Sequence, residues 1–289
     1  MTTGTETFTF SSIDGEPVPN LKHWYNDPGM IGRHFLVFNV ASPRVKRHYT
    51  ICSSMQPVLH SELLKLAENI VSGDPNTDFD NSIFVNNDKK SISLTLKTYH
   101  TKTGLATKIH STAIDPEMAE RQAYFDDLTT DNAYSIKGPM GKGLQVKTSG
   151  VHVAFCAGTG ALVFLDLVSH LLIKNCFEAD GKKVPEEMSV YEADFVFHLY
   201  CSFADRESAI GLQIIEALEK VNAKLGLSNF KATVRLSKTD GPKLPRWSPT
   251  YISDELTPLA GSINRIWVVG PPAVNEMFDK TLEAMTGDL

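Results

Sequence analysis

The segment Arg47-His48-Tyr49-Thr50-Ile51-Cys52-Ser53-Ser54 sets a guanidinium, a phenol and several hydroxyls two or three residues apart. That set of groups suits a ligand with phosphates at one end and a flat ring at the other. The guanidinium is a planar fork that matches phosphate oxygens, and a phenol offers an apolar face with one hydrogen-bonding tip. The same residues also serve as the decoration of a half-exposed strand.

Three further stretches have the composition of phosphate-binding or crevice-lining turns. In "CAGTGALV", Gly158 and Gly160 permit close backbone approach, Thr159 adds a hydroxyl, and amides at the following helix start can accept phosphate charge. The spacing is not GxGxxG, and a tight strand–helix turn explains it equally well. In "TKTGLATK", Gly104 allows a close approach and Thr107 stands at the next helix start, although an ordinary glycine turn with an N-cap reads the same. In "VVGPPAVNEMF", a buried strand through Trp267, Val268 and Val269 stops at Gly270, and Pro271 and Pro272 stiffen the exit before a helix near Ala273 or Val274. Such a turn can hold a strand end beside a ligand in a parallel-sheet crevice, or can simply end the strand.

The elements that must carry these residues fall into two rhythms. "TFTF", "RHFLVFNV", "KRHYTIC", "KSISLTLKTYH" and "AYSIKG" predict short strands without regular intervening helices, hence an antiparallel barrel or sandwich. "HSELLKLAENIVSG" interrupts them with helical spacing, stopped at Gly73, within an excursion over about residues 57–87 expected to cover one end of a barrel. From "VHVAFC" onward, strands and helices alternate, which predicts a parallel sheet with helices on its faces. The change of rhythm near Lys147–Val151 divides the chain into domains over 1–149 and 150–289.

Composition narrows the functional classes. The 289 residues carry 28 Lys plus Arg against 34 Asp plus Glu, a formal charge of −6, which argues against a dedicated nucleic-acid binder. Four cysteines without a CxxC pair point to a reducing compartment, cytoplasmic or otherwise intracellular. The nine histidines form no convincing metal cluster. "MTTGTETFTF" lacks the basic-then-apolar pattern of a secretion signal. The most apolar run, "ALVFLDLVSHLLI", contains Asp166 and His170 and is too short for a membrane span, so any membrane association is expected to be peripheral.

Taken in order, the motifs resemble the ferredoxin–NADP reductase superfamily over about residues 32–282, most closely its NADH–cytochrome b5 reductase-like and nitrate-reductase flavin domains. "RHYTICS" fits the flavin motif RxY(T/S)xxS, and "LTLKTYHTKTGLAT" resembles the strand and GxxS/T turn that follow it. "IKGPMGKGL" is similar to the barrel-ending RGPxG turn, "AGTGALV" to GGTGxxP, and "VVGPPAV" to CGPPxM. The resemblance implies a two-domain fold: an antiparallel six-stranded β-barrel, atypical at its start, and a Rossmann-like parallel sheet. It implies FAD as cofactor and NADPH or NADH as hydride donor to flavin N5. Electrons would then pass singly to a haem, iron or other redox protein, on an attached domain or within a larger membrane-associated assembly. Arg47 would bind the FAD pyrophosphate, Tyr49 would pack by the flavin, Thr50 would lie near N5, and Ser53 would support the loop. Lys97 and Tyr99 would stand on the flavin-contact strand, while Gly104 and Thr107 would cap the pyrophosphate. Gly158, Thr159 and Gly160 would shape the nicotinamide crevice, with Gly270 and Pro271 closing its other side.

Several positions depart from that pattern. Ala157 replaces the first glycine of GGTG, Val163 its proline, and Val269 the cysteine that lies near the hydride path. The short stretch before "GRHFLVF" suggests either part of a longer polypeptide or a compact, divergent subunit. In "YCSFADRES", Arg206 could meet a 2′-phosphate and favour NADPH, whereas Asp205 could repel it or bind a ribose hydroxyl. The altered positions leave open a non-catalytic flavin-binding subunit of a redox assembly.

Overall fold

The computed structural model describes residues 5–18, 22–25, 27–40, 42–73, 91–97, 105–106, 109, 133–179, 181, 190–240 and 247–285. Tyr99, Gly104 and Thr107 lie outside the described residues, as does residues 74–87 of the expected helical excursion.

The first half contains β1 (Thr5–Ser11), β2 (His34–Asn39), β3 (Ser42–Thr50), α1 (Pro57–Ser72), β4 (Ser91–Lys97) and β5 (Tyr134–Met140). All strand pairings are antiparallel. Strand β1 pairs with β4 in one sheet, and β2 lies between β3 and β5 in another. Strands β3 and β4 approach each other across the two sheets. Among the described residues these five strands form two sheets, and the six-stranded closed barrel expected from the sequence is not seen. The opening strand is the one that "ETFTF" suggested, with Thr5 opposite Lys97.

The second half alternates as its sequence rhythm requires. It contains β6 (Val151–Ala157), α2 (Leu162–Ala179), β7 (Val196–Phe203), α3 (Leu212–Leu225), β8 (Phe230–Leu236), α4 (Pro249–Leu256), β9 (Ile263–Val269) and α5 (Pro272–Ala284). The four strands form a parallel sheet in the order β8-β7-β6-β9. Central strand β6 is buried on both faces, which is why it reads as a continuous apolar run. Its Ala154 and Cys156 join the larger apolar cluster, and Val153 and Phe155 join the cluster formed with Ile252, Leu256 and Phe278. Edge strand β9 is only half-buried, where the sequence suggested a buried strand. One apolar core runs through both halves, from Trp24, Phe35 and Leu94 to Phe164, Leu171 and Ile215.

Helix α1 has Pro57 in its first turn, where the missing amide costs no hydrogen bond, and ends at Gly73 with φ +75°. Its buried stripe of Leu59, Leu63, Leu66 and Ala67 packs against α2 and α3. The excursion therefore bridges the two halves instead of merely covering a barrel end. Each fully buried leucine contributes roughly 1.5–3 kcal/mol to that junction. Among the described residues one stretch, Gly158–Ala179, is long and apolar enough to cross a membrane, but 83% of its apolar window is buried inside the fold.

Candidate functional site

The candidate residues lie at the end of β3 in the first half and at the ends of β6 and β9 in the second. Period-two alternation places Arg47 and Tyr49 on one face of β3 and His48 and Thr50 on the other. Arg47 is exposed, its Nη1 donating to the Lys46 carbonyl at 2.9 Å. Tyr49 is half-buried against the core, and Thr50 is half-buried opposite His34. His34 in turn pairs with Met140, so the end of the motif strand and the "GPMG" turn flank the same residue of β2. Lys97 is half-buried at the end of β4.

In the second half, the strand order reverses direction at β6, between β7 on one side and β9 on the other. Beyond the carboxyl ends of parallel strands at such a point, open α/β sheets form their ligand crevices. Gly158, Thr159 and Gly160 form a 3-10 turn over Gly158–Ala161, leading directly into α2. Gly158 has φ +56°, and a Cβ built there meets nothing within 4 Å. Gly160 is the opposite case, because its Cβ would fall 2.6 Å from the Val269 carbonyl oxygen. Gly270 also sits close to Ala157, at 3.6 Å from a built Cβ, and Pro271 is exposed beside it. The turn after β6 and the end of β9 therefore lie side by side, Gly160 against Val269 and Ala157 beside Gly270.

A buried carboxylate joins these two groups of residues. Asp166, in the second turn of α2, is 2% exposed. Its Oδ2 accepts from the Ser53 backbone amide at 3.2 Å, and its Oδ1 accepts from the Ser54 amide at 2.9 Å and the Ser54 hydroxyl at 2.6 Å. Burial pushes the Asp166 carboxyl up to about 6, against the opposing pull of these hydrogen bonds and one from Cys52. Burial likewise raises the Cys52 thiol well above its ordinary value, and the neighbouring Asp166 charge adds to this. Trp267, two residues before Val269, makes a second tie by donating its indole N–H to the Leu144 carbonyl at 3.2 Å. Sequence reading passed over both ties. For Asp166 the available signal was a lone acid inside an apolar helical run.

Arg206 is exposed and pairs with Glu216 at 2.8 Å, while neighbouring Asp205 pairs with Lys238 at 2.8 Å. Hydrogen bonds from Lys238 and Ser208 hold the Asp205 carboxyl down to about 2. Arg206 borders a cavity of about 490 Å³ between β1, β4, α1 and the start of α3, lined also by Thr7, Thr95, His60 and Gln213. His60 spans the two halves there, with Nε2 3.1 Å from the Gln213 Oε1. No group of three or more His, Cys, Asp or Glu able to hold a metal occurs among the described residues.

No protein-family model and no curated protein sequence matches the chain. Solved structures do. The CS-b5R domains of human Ncb5or, in the NAD+ form, align over 98% of this chain with 14% identity and a TM-score of 0.52. The cytochrome b5 reductase domain of Ulva prolifera nitrate reductase aligns over 99% of this chain and 89% of its own length, with 13% identity and a TM-score of 0.50. Ferredoxin–NADP+ reductase from Plasmodium falciparum, with 2′P-AMP, aligns over 96% of this chain and 85% of its own, with 12% identity and a TM-score of 0.52. The chain shares the fold of these three structures. It spans 63% of the length of the Ncb5or structure.

Proposed function

We propose that this chain is an FAD-dependent NAD(P)H oxidoreductase that delivers electrons singly to a haem, iron or other redox-protein acceptor. The observation that supports this reading is the tie between the end of the Arg47–Ser54 segment and α2, the helix opened by the turn after β6, made by Ser53 and Ser54 to Asp166. A flavin site and a nicotinamide site must meet edge to edge for hydride transfer, and in this fold those are the segments that build them.

The residues present fit the cofactor. Arg47 offers an exposed guanidinium to a pyrophosphate, and the half-buried Tyr49 offers a ring face with a phenol tip. The open space over Gly158 leaves its turn accessible to a nucleotide, with Thr159 and Gly160 in the same turn. FAD bound here supplies hydride acceptance at N5 and one-electron release. The protein's own part is binding, orientation and exclusion of water. Thr50 and Ser53 hold the end of the motif strand, and Lys97, Tyr99, Gly104 and Thr107 serve the cofactor's dinucleotide part. Val269, Gly270 and Pro271 close the nicotinamide side. The flavin domain covers residues 1–149 and the nucleotide domain covers 150–289. NADPH or NADH is the donor, with Arg206 directed at a 2′-phosphate once it releases Glu216. The acceptor is a partner protein or attached domain, in a reducing compartment with at most peripheral membrane contact.

Steady-state turnover tests this. Protein supplied with FAD and a reduced nicotinamide is expected to reduce ferricyanide and a haem protein such as cytochrome c. Tight FAD binding with no turnover on any one-electron acceptor would favour the non-catalytic subunit suggested by Ala157, Val163 and Val269.

A further inference from the structure

We infer that Asp166 is a positioning residue, whose carboxylate fixes the end of the Arg47–Ser54 segment against the Gly158–Gly160 turn. The inference rests on the reductase reading above and assigns to that site a residue that none of its motifs contains. Both carboxylate oxygens are used, and they accept from Ser53 and Ser54 in the other half of the chain, 112 or 113 residues away. Asp166 itself follows the Gly158–Ala161 turn within α2, so the bonds join the motif segment to the helix that this turn opens.

A plain stability role explains this arrangement poorly. The donors are two amides and a hydroxyl, with a thiol beside them, and all are neutral. Taking a carboxylate out of water among neutral donors is costly, and well-packed apolar side chains would join the same surfaces at lower cost. Hydrogen bonds add direction. Apolar contacts tolerate sliding, whereas two oxygens that accept from consecutive amides permit one register of the turn. A shift of about 1 Å between hydride donor and acceptor can cost on the order of a hundredfold in rate. Directional fixing therefore has its consequence in transfer and not in cofactor affinity, since Arg47 and Tyr49 lie on the strand itself and α2 does not supply them.

The experiment compares wild type with Asp166→Asn, which replaces one acceptor oxygen by an NH2 group, and with Asp166→Leu, which keeps apolar packing and removes every acceptor. Three quantities are read on folded protein: amide hydrogen exchange at residues 52–55, FAD affinity by fluorescence titration, and the limiting rate of anaerobic flavin bleaching at saturating NADPH or NADH. Exchange at Ser53 and Ser54 is expected to quicken by about tenfold or more in both variants. The limiting bleaching rate should fall by roughly tenfold to a hundredfold, with FAD affinity and the half-saturating nicotinamide concentration unchanged. Unaltered exchange in both variants overturns the tie itself. Faster exchange with an unaltered bleaching rate, or a rate loss explained by lost FAD, overturns the positioning role while the reductase reading stands. Wild-type flavin that neither nicotinamide bleaches overturns the reductase reading and the positioning role with it, and the exchange data then show separately whether the tie exists.

Discussion

Gly160 presses on Val269: a Cβ added to the glycine would lie 2.6 Å from the valine carbonyl oxygen and 3.0 Å from its Cγ1. The turn after β6 and the end of β9 are thus in backbone contact. Gly158, two residues earlier, has open space around the same position but a left-handed φ of +56°. Gly160→Ala is expected to destabilise the protein by roughly 1–3 kcal/mol, because a backbone atom must move. Gly158→Ala should cost about 1 kcal/mol through its backbone conformation alone. Urea unfolding midpoints give the order, and a Gly160→Ala protein as stable as wild type would contradict the contact.

Arg47 is exposed and donates to the carbonyl of its own neighbour Lys46, so the fold does not depend on it. If its guanidinium grips a pyrophosphate, Arg47→Ala removes charge-assisted hydrogen bonds of about 1.5–3 kcal/mol. FAD affinity should then drop by roughly tenfold to a hundredfold with the unfolding temperature of the apoprotein unchanged. Fluorescence titration of the folded variant gives the number, and equal affinity would remove Arg47 from the cofactor site.

Val269 touches the Gly158–Gly160 turn, on the side proposed above for the nicotinamide. Val269→Cys is therefore expected to change the rate of flavin bleaching by nicotinamide several-fold while FAD affinity stays constant. Stopped-flow bleaching alongside FAD titration separates the two effects. A change in FAD affinity with bleaching unaltered would place Val269 outside the hydride path.

The carboxyl of Asp166 is raised from the ordinary 3.8 to about 6 by burial. The folded state thus holds its proton more tightly than the unfolded state, and ionising it costs stability as pH rises from about 4 through 6. Nearby Cys52 has its thiol pushed well above neutral and does not titrate in that window. As pH falls from 7 to 4, wild type should gain stability relative to Asp166→Asn by at most about 3 kcal/mol. Denaturant unfolding across that range measures the difference, and a flat difference would mean that Asp166 is not buried as a carboxylate.

How much of this was legible in the residues follows from the range of the interactions. The switch from alternation to helical spacing located β6, α2, β7 and α3, because burial on one face or both dictates those periods locally. The glycine turns were legible for the same reason, since each is a local backbone requirement. Contacts between distant segments were not. Nothing near Ser53 or Ser54 indicates a carboxylate 112 residues later, and nothing in α1 tells that its leucine stripe meets α2 and α3 and not a barrel end. The ion pair that engages Arg206 also links a loop to a helix face and left the nucleotide preference undecided.

The account turns on a flavin held where a nicotinamide can reach it. The most direct measurement is an ultraviolet–visible spectrum of the FAD-loaded protein, recorded anaerobically before and after addition of NADPH and, separately, NADH. The account predicts a yellow protein whose flavin absorbance bleaches with at least one of them. Stoichiometric FAD that neither nucleotide bleaches, or a folded protein that retains no FAD, would contradict it.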